Sequence, residues 1–596
     1  MADVSIAQHY HQRTKYDPET IHAKSGGLDW SQQPLPYKDY KLGHEVDLKP
    51  YLEDEPTNAD DTWRWWQRLS RLLIDSYGLT ARVTTFAGEA LYLRSAPSAG
   101  GLYPAEIYLV SRGTSRLTAG LYNYQVRTHS LVRFWDDHPW QDLQAACFWH
   151  PALETTQMAL VVSTVFQRSA WRYQDRAYRR VFLDSGHLLG NLEVAGTLCD
   201  YRPHLIGGFA DEQVNQLLYL DGVEESAIAL LALADLFEVD QNLPLSRSAL
   251  PSPLHSAAKN IPDGELLQYL HQNSLISKTS GFGQRQQQRK DSRLDKATDG
   301  ATDGATTEAQ TSAAPDSLGA SEATSTQADE TTRDTLPPDN RDQERSEAAE
   351  TAAESAADNA AENLARQSPQ PAADKLANDK PAADKYNFPF GITVSTTTQP
   401  IGWGDHLKDL ENTLLTRRST RRYTGAPLHR ADLFALLDFS YHPEHYRLQA
   451  FDQHPDYFDL GLIETFIAVS NVEALESGCY YYAPQAQELR QIRFNRFQKD
   501  LHFLCLGQEL GRDAGAVIFH TANLEAAVAK YGERAYRYLH MDAGHLGQRL
   551  NLAATRRNLG VSGIAGFFDD QVNELLSIPA EEAVLYVTTV GQKAVR

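Results

Sequence analysis

Cysteine is scarce: Cys147, Cys199, Cys479 and Cys505 are the only four in 596 residues, and they stand far apart. They offer neither metal-ligand spacing nor the even framework that staples small secreted domains, so no metal is expected and a reducing cytosol is the natural setting. Long apolar runs are missing as well. The strongest, Ala227–Leu236, falls far short of the roughly 20 residues that span a bilayer, and the opening MADVSIAQHYHQRTKYD lacks the apolar core of a signal peptide. A soluble, cytoplasmic protein is expected. Lysine and arginine number 56 against 78 aspartate and glutamate, a formal charge of −22 that argues against non-specific nucleic-acid binding.

From Gln284 to Lys385 there is no aromatic residue at all. This stretch is built from Ala, Asp, Glu, Thr, Ser, Gln and Pro, with short repeats (ATDG at 297–300 and 301–304, PAADK at 371–375 and 381–385). Nothing in it can form a core, so residues 279–385 are expected to be a disordered linker between a first domain, 1–278, and a second, 386–596.

What the chain does contain is a duplication. The segment Arg172–Leu218 aligns without a gap on Lys530–Leu576, and 21 of the 47 pairs are identical. Both copies carry Arg-Ala-Tyr-Arg (176–179, 534–537), Asp-x-Gly-His-Leu (184–188, 542–546), Ile-x-Gly-Phe-x-Asp (206–211, 564–569) and Gln-Val-Asn (213–215, 571–573). Apolar residues at Leu539, Ala543, Leu546, Leu550 and Ala554 recur at helical spacing, which predicts a long, mostly buried helix in each copy. Gly560, Gly563 and Gly566 then predict a tight loop. These glycines either turn the chain or let a ligand ring approach the backbone. Asp569 and Asp570 are expected to cap the next helix.

Elsewhere in the first copy, Met1–Pro50 reads as polar and turn-rich, Thr62–Tyr77 as an amphipathic helix, and Pro97–Gly101 as a turn into the strand Glu106–Val110. A hairpin (Leu121–Tyr124 with Leu131–Phe134), a strand (Gln157–Phe166), the helix Asp175–Leu198, the Gly207-Gly208 loop and a strand near Ala227–Leu233 follow, and a polar tail runs through Ile276. The second copy repeats the order. The alternation of strands and long helices indicates α+β layers. Arg176 with Asp184 and Arg534 with Asp542 read as structural ion pairs, and His187 and His545 as buried, hydrogen-bonded histidines. Trp63, Trp65 and Trp66 read as packing or interface.

The series Arg-Ser-x-Arg, Pro-Ser-Ala-Gly-Gly-Leu-Tyr-Pro, tyrosine-rich hairpin, Lys-Tyr-Gly-x-Arg-x-Tyr-Arg, Asp-x-Gly-His and Gly-Phe-x-Asp resembles the nitroreductase superfamily. More narrowly, and with Tyr10-His11-x-x-Thr14-Lys15, it resembles the SagB/ThcOx-type FMN-dependent dehydrogenases, which oxidise thiazoline and oxazoline rings of ribosomal peptides to azoles. The resemblance implies two nitroreductase-like domains, each a central, mostly antiparallel sheet flanked by helices, paired as an intramolecular pseudo-dimer.

It also implies residue roles. Arg417, Ser419 and Arg421 would grip the FMN phosphate, where guanidinium groups match phosphate bidentately, with Lys593 and Arg596 near the chain end as further candidates. Pro97, Ser98, Ala99, Gly100 and Gly101 would lie against the isoalloxazine ring, and the backbone of Ala565 and Gly566 would approach it. The first copy lacks Arg-Ser-x-Arg and the second lacks Pro-Ser-Ala-Gly-Gly, so the copies are complementary halves holding one FMN, with the opposite site degenerate. The pair Lys530-Tyr531 matches the catalytic Lys-Tyr of the azoline-oxidising branch, lysine as base and tyrosine as relay. Three functions compete: azoline dehydrogenase acting on a modified peptide, NAD(P)H-dependent nitro or quinone reductase, and a non-catalytic flavin-binding partner.

Overall fold

The computed structural model describes residues 4–21, 27–84, 88, 90–238, 247–256, 260–278, 384–388 and 391–594. All but the last two residues of the expected linker, and Arg596, lie outside the described residues.

Each copy builds one seven-stranded sheet in which every neighbouring pair is antiparallel. In the first, the order across the sheet is His44–Asp47, Ser130–Trp135, Gly120–Gln125, Ala105–Ser111, Met158–Val165, Glu225–Asp235 and Tyr201–Ile206. In the second, it is Thr393–Ser395, Glu488–Phe494, Gly478–Ala483, Glu464–Val469, Ala516–Asn523, Glu582–Gly591 and Gly560–Ile564. The two orders are the same strand for strand. The architecture is therefore two like halves, each a sheet with helices packed on it, as the duplication predicts. The apolar run that the sequence offers at Ala227–Leu236 falls, but for its last residue, in a wholly buried strand, Glu225–Asp235, next to the edge strand Tyr201–Ile206.

The long helices Ala177–Leu198 and Ala535–Arg556 cross at the centre of the molecule. Nearly every side chain on both is buried, because each helix faces its own sheet on one side and its counterpart on the other. The shared Asp-x-Gly-His motif explains how close they come. A Cβ on Gly186 would meet the Met541 carbonyl oxygen at 2.2 Å, and one on Gly544 would meet the Leu183 carbonyl oxygen at 2.3 Å.

The other shared motifs form a reciprocal clasp. Arg534 and Arg537 of the second copy bond Asp211 of the first at 2.6 and 3.1 Å, while Arg176 and Arg179 of the first bond Asp569 of the second at 2.9 and 2.6 Å. The ion pairs expected within each copy are thus corrected to pairs between copies, because a short helix start from one half faces a long helix start of the other. Asp569 is spent on this clasp and does not cap its helix through the side chain.

Three further readings change. Met1–Pro50 contains a helix, Ile6–Arg13, with Ser5 and Gln8 forming a capping box and Glu533 of the second half accepting from the Ile6 and Ala7 amides at 3.3 and 2.7 Å. The tail after Asp235 contains the helix Leu266–Asn273, whose Leu266, Leu267 and Leu270 are buried. Of the three glycines expected in one loop, Gly560 and Gly563 lie in the strand Gly560–Ile564 and only Gly566 lies beyond it. No helix of the described residues is long and apolar enough to cross a membrane.

Candidate functional site

The site is a cavity distinguished by its walls, which come from both halves. At about 460 Å³ it is lined by Pro97–Gly100, Tyr173, Arg180, Asp184 and His187 of the first half and by Ser419, Arg421, Ser562–Gly566 and Tyr586 of the second, with Tyr16 and Leu506 among its other lining residues. It therefore gathers eight of the expected residues: Pro97, Ser98, Ala99, Gly100, Ser419, Arg421, Ala565 and Gly566.

The loop wall is held from below. Ser98 Oγ donates to Asp184 at 2.6 Å, the Ala99 amide donates to the same carboxylate at 3.1 Å, and the Tyr103 amide donates to Ser98 Oγ at 2.9 Å. Burial pushes the Asp184 carboxyl up to about 7 against the pull of these bonds and of Arg180. Gly100 takes a positive φ of 68°, and a Cβ there would meet Tyr173 Oη at 2.9 Å, so the turn and the neighbouring tyrosine both require glycine.

The opposite wall is the end of the strand Gly560–Ile564. Thr420 locks the Arg417–Arg421 segment onto it, its amide donating to the Val561 oxygen at 2.8 Å. This turns the flanking Ser419 and Arg421 to the cavity, as alternate spacing requires. Arg417 does not follow them. It is still the C-cap of the helix Lys408–Thr416, and its guanidinium runs back to the first half, Nε donating to the Ser95 oxygen at 2.7 Å. It is buried with Nη1 unpartnered. The expected grip of three is a pair at the cavity with Arg417 behind it. Gly101 and Lys593 do not line the cavity; Lys593 forms a backbone bridge with Tyr423.

Lys530 and Tyr531 are elsewhere. Both bond Asp459, Lys530 Nζ at 2.5 Å and Tyr531 Oη at 2.9 Å, and the lysine side chain is 55% exposed. Their counterparts 358 positions earlier, Arg172 and Tyr173, are the ones that line the cavity. Lys530 thus belongs to the pseudo-symmetric second site.

That second site is filled by the chain itself. The Phe458 and Asp459 amides donate to Asp542 at 3.0 and 2.8 Å, where the Ser98 hydroxyl and the Ala99 amide donate to Asp184, but the residue in the position of the small loop is a phenylalanine. Phe458 stacks on Tyr538 with centroids 4.6 Å apart, and Tyr457 stacks on His545 at 4.3 Å. The Gly207 and Gly208 amides, counterparts of Ala565 and Gly566, both donate to the Ser248 oxygen, at 2.6 and 3.2 Å. No described residue accepts from the Ala565 or Gly566 amide.

The first cavity fits a flavin mononucleotide by the chemistry of its donors. Arg421 and Ser419 supply a cation and a hydroxyl at one end. Small residues line the rest together with the Ala565 and Gly566 amides, from which no described residue accepts, and no described carboxylate lies within ion-pair distance of Arg180. Arg180, Tyr173 and Tyr586 are absent from the sequence-derived set. Arg180 was visible as a divergence: the duplicated position holds Tyr538, the residue that fills the second site.

Comparison with known proteins agrees with this architecture. The family model described as "Nitroreductase family" matches twice, at residues 79–234 and 414–592. A curated protein named a nitroreductase from Methanocaldococcus jannaschii is 32% identical over 184 residues, 31% of this chain and 91% of that protein. The crystal structure of a protein named a nitroreductase from Anabaena variabilis is 52% identical, covers 99% of this chain and 100% of its own, and superposes with a TM-score of 0.79.

Proposed function

The chain belongs to the nitroreductase family, and on that premise we propose that it is an FMN-dependent oxidoreductase with one flavin site per chain, made from both halves. The observation that carries this reading is the asymmetry of the two sites. One gathers Pro97–Gly100, Ser419, Arg421, Ala565 and Gly566 around an open cavity, and the other is stoppered by Phe458 and Tyr538.

Bound there, FMN would supply reversible acceptance of two electrons. Ser419 and Arg421 would hold its phosphate, Pro97–Gly100 and Ala565–Gly566 would flank its ring, and the Arg180 guanidinium would favour negative charge on the ring. Leu506 and Tyr173 also line this cavity.

Dehydrogenation of a thiazoline or oxazoline ring asks for a base beside the flavin. Lys530 stands at the filled site, and its counterpart at the cavity is Arg172, which stays protonated at neutral pH. Reduction of a nitro or quinone acceptor with electrons from a nicotinamide donor needs no such base, and it is the reaction the geometry supports best. The test is to count FMN per chain after reconstitution, then to compare NADPH-dependent reduction of a nitroaromatic with oxidation of an azoline-bearing peptide. One FMN with nitroaromatic turnover supports the proposal. Azoline oxidation without NADPH turnover would replace it, and failure to bind FMN would leave a non-catalytic partner.

A further inference from the structure

Behind the cavity a row of buried side chains passes between the halves, and its direction is fixed at one end. The Ser76 carbonyl lies in the last turn of the helix Asp61–Tyr77, where no later helical amide can use it. It accepts from Asn191 Nδ2 at 3.0 Å. A carbonyl oxygen only accepts, so Asn191 must turn Oδ1 the other way, where it accepts from Gln548 Nε2 at 2.5 Å. Gln548 thereby presents Oε1 to His187 Nδ1, 2.9 Å away, and this acceptor requires Nδ1–H. Burial pushes His187 down to about 3, so the ring is neutral and its Nε2 is an acceptor. Tyr586 Oη, 2.8 Å from Nε2, gives its proton to it.

The phenol proton is therefore committed away from the cavity that Tyr586 lines, and the oxygen has only lone pairs left to offer there. No described residue donates to it. Gly563 leaves it room, since a Cβ at that position would lie 1.8 Å from Oη. The row has no counterpart at the second site. The positions duplicated from Asn191 and Gln548 are Arg549 and Gly190, and Arg549 is spent on Glu193 at 2.7 Å.

We propose that Tyr586 is a specificity-determining acceptor: it takes a hydrogen bond from an O–H or N–H of the bound flavin, and the row Ser76–Asn191–Gln548–His187 sets that polarity. The donor is a ribityl hydroxyl or a ring N–H. A group presenting a carbonyl at this point would meet lone pair with lone pair. The inference rests on the reading of the cavity as the flavin site.

The experiment uses the full apo-chain, titrated with FMN, riboflavin and lumiflavin by quenching of flavin fluorescence, in the parent and in Tyr586→Phe. The phenylalanine keeps the ring and removes the acceptor. Expected is a roughly tenfold weaker FMN affinity, the size of one lost hydrogen bond. Loss with all three ligands locates the donor on the ring, and loss with FMN and riboflavin alone locates it on the ribityl chain; either supports the proposal. A second variant, Asn191→Ala, touches no part of the cavity but removes the anchor. In histidine-labelled protein, ¹⁵N spectra should show the Nδ1–H tautomer at His187 in the parent and a mixture in this variant, with FMN affinity reduced several-fold. Parental FMN affinity in Tyr586→Phe, or an unchanged tautomer in Asn191→Ala, overturns the inference and leaves the flavin site standing. A parent chain that binds no flavin overturns both.

Discussion

Ser98 hangs from Asp184: the hydroxyl of a loop in the first half donates at 2.6 Å to a carboxylate on the helix that crosses the molecule's centre. Burial holds that carboxyl at about 7, above its ordinary 3.8. A carboxyl raised in the folded state gives stability that is complete below its unfolded value and is lost as pH rises towards the folded one. Thermal melting of the apo-chain should therefore fall between pH 5 and about 7 on this account. Asp184→Asn should flatten part of the fall, because Asp542 and Glu464, also held at about 7, contribute to it as well.

Asp569 works in the opposite sense. Burial pushes its carboxyl up, but Arg176 and Arg179 outweigh burial and hold it below the ordinary range. Its contribution is present at neutral pH and lost as pH falls below that range. Asp569→Ala leaves two buried guanidinium groups unpaired, and chemical denaturation should show a loss of about 3–5 kcal/mol.

The helix crossing admits no side chain. Gly186→Ala would gain helix propensity of about 1 kcal/mol, but its methyl must enter the space of the Met541 carbonyl oxygen, 2.2 Å from the ideal Cβ. Overpacking of this kind costs about 1–3 kcal/mol and here also parts the halves. A lower melting temperature together with weaker FMN binding is the expected outcome.

Arg421 and Arg417 should separate in their effects. Arg421→Ala removes an exposed cation at the cavity, so FMN affinity falls while riboflavin affinity stays within twofold. Arg417→Ala removes buried bonds to the Ser95 and Arg94 carbonyls, so the melting temperature falls as well. Titration with both ligands plus a melting curve distinguishes them.

Lys530→Ala should leave FMN binding and NADPH-dependent turnover within twofold of the parent, since its Nζ engages Asp459 at the filled site. A loss of turnover larger than tenfold would give Lys530 a part in the reaction and overturn its placement at an inactive site.

Much of this was legible from one sequence. The hairpins, the long helices and the complementary loss of motifs all follow from periodicity and from laying the copies side by side. The helix Ile6–Arg13 was not, because its apolar face is short and its N-terminus is satisfied by Glu533, more than 500 residues away in sequence. The ion pairs were misassigned for a related reason: spacing along one copy cannot reveal that Arg176 meets an aspartate of the other. Arg417 failed as a cavity residue because helix Lys408–Thr416 runs one residue further than alternation assumes, which swings the side chain out of line. Tyr586 carried no local signal, being one buried residue of a strand.

The filled second cleft makes the duplication a one-way evolutionary step. In an ordinary pair of identical subunits every mutation appears in both chains, and so in both sites, at once. Here two first halves would bring two Pro-Ser-Ala loops and no Ser419 or Arg421, and two second halves would bring the reverse along with two stoppers. Neither half can revert to independence by a single change. Selection therefore acts on the halves as one unit, and a lesion in either is paid for by both.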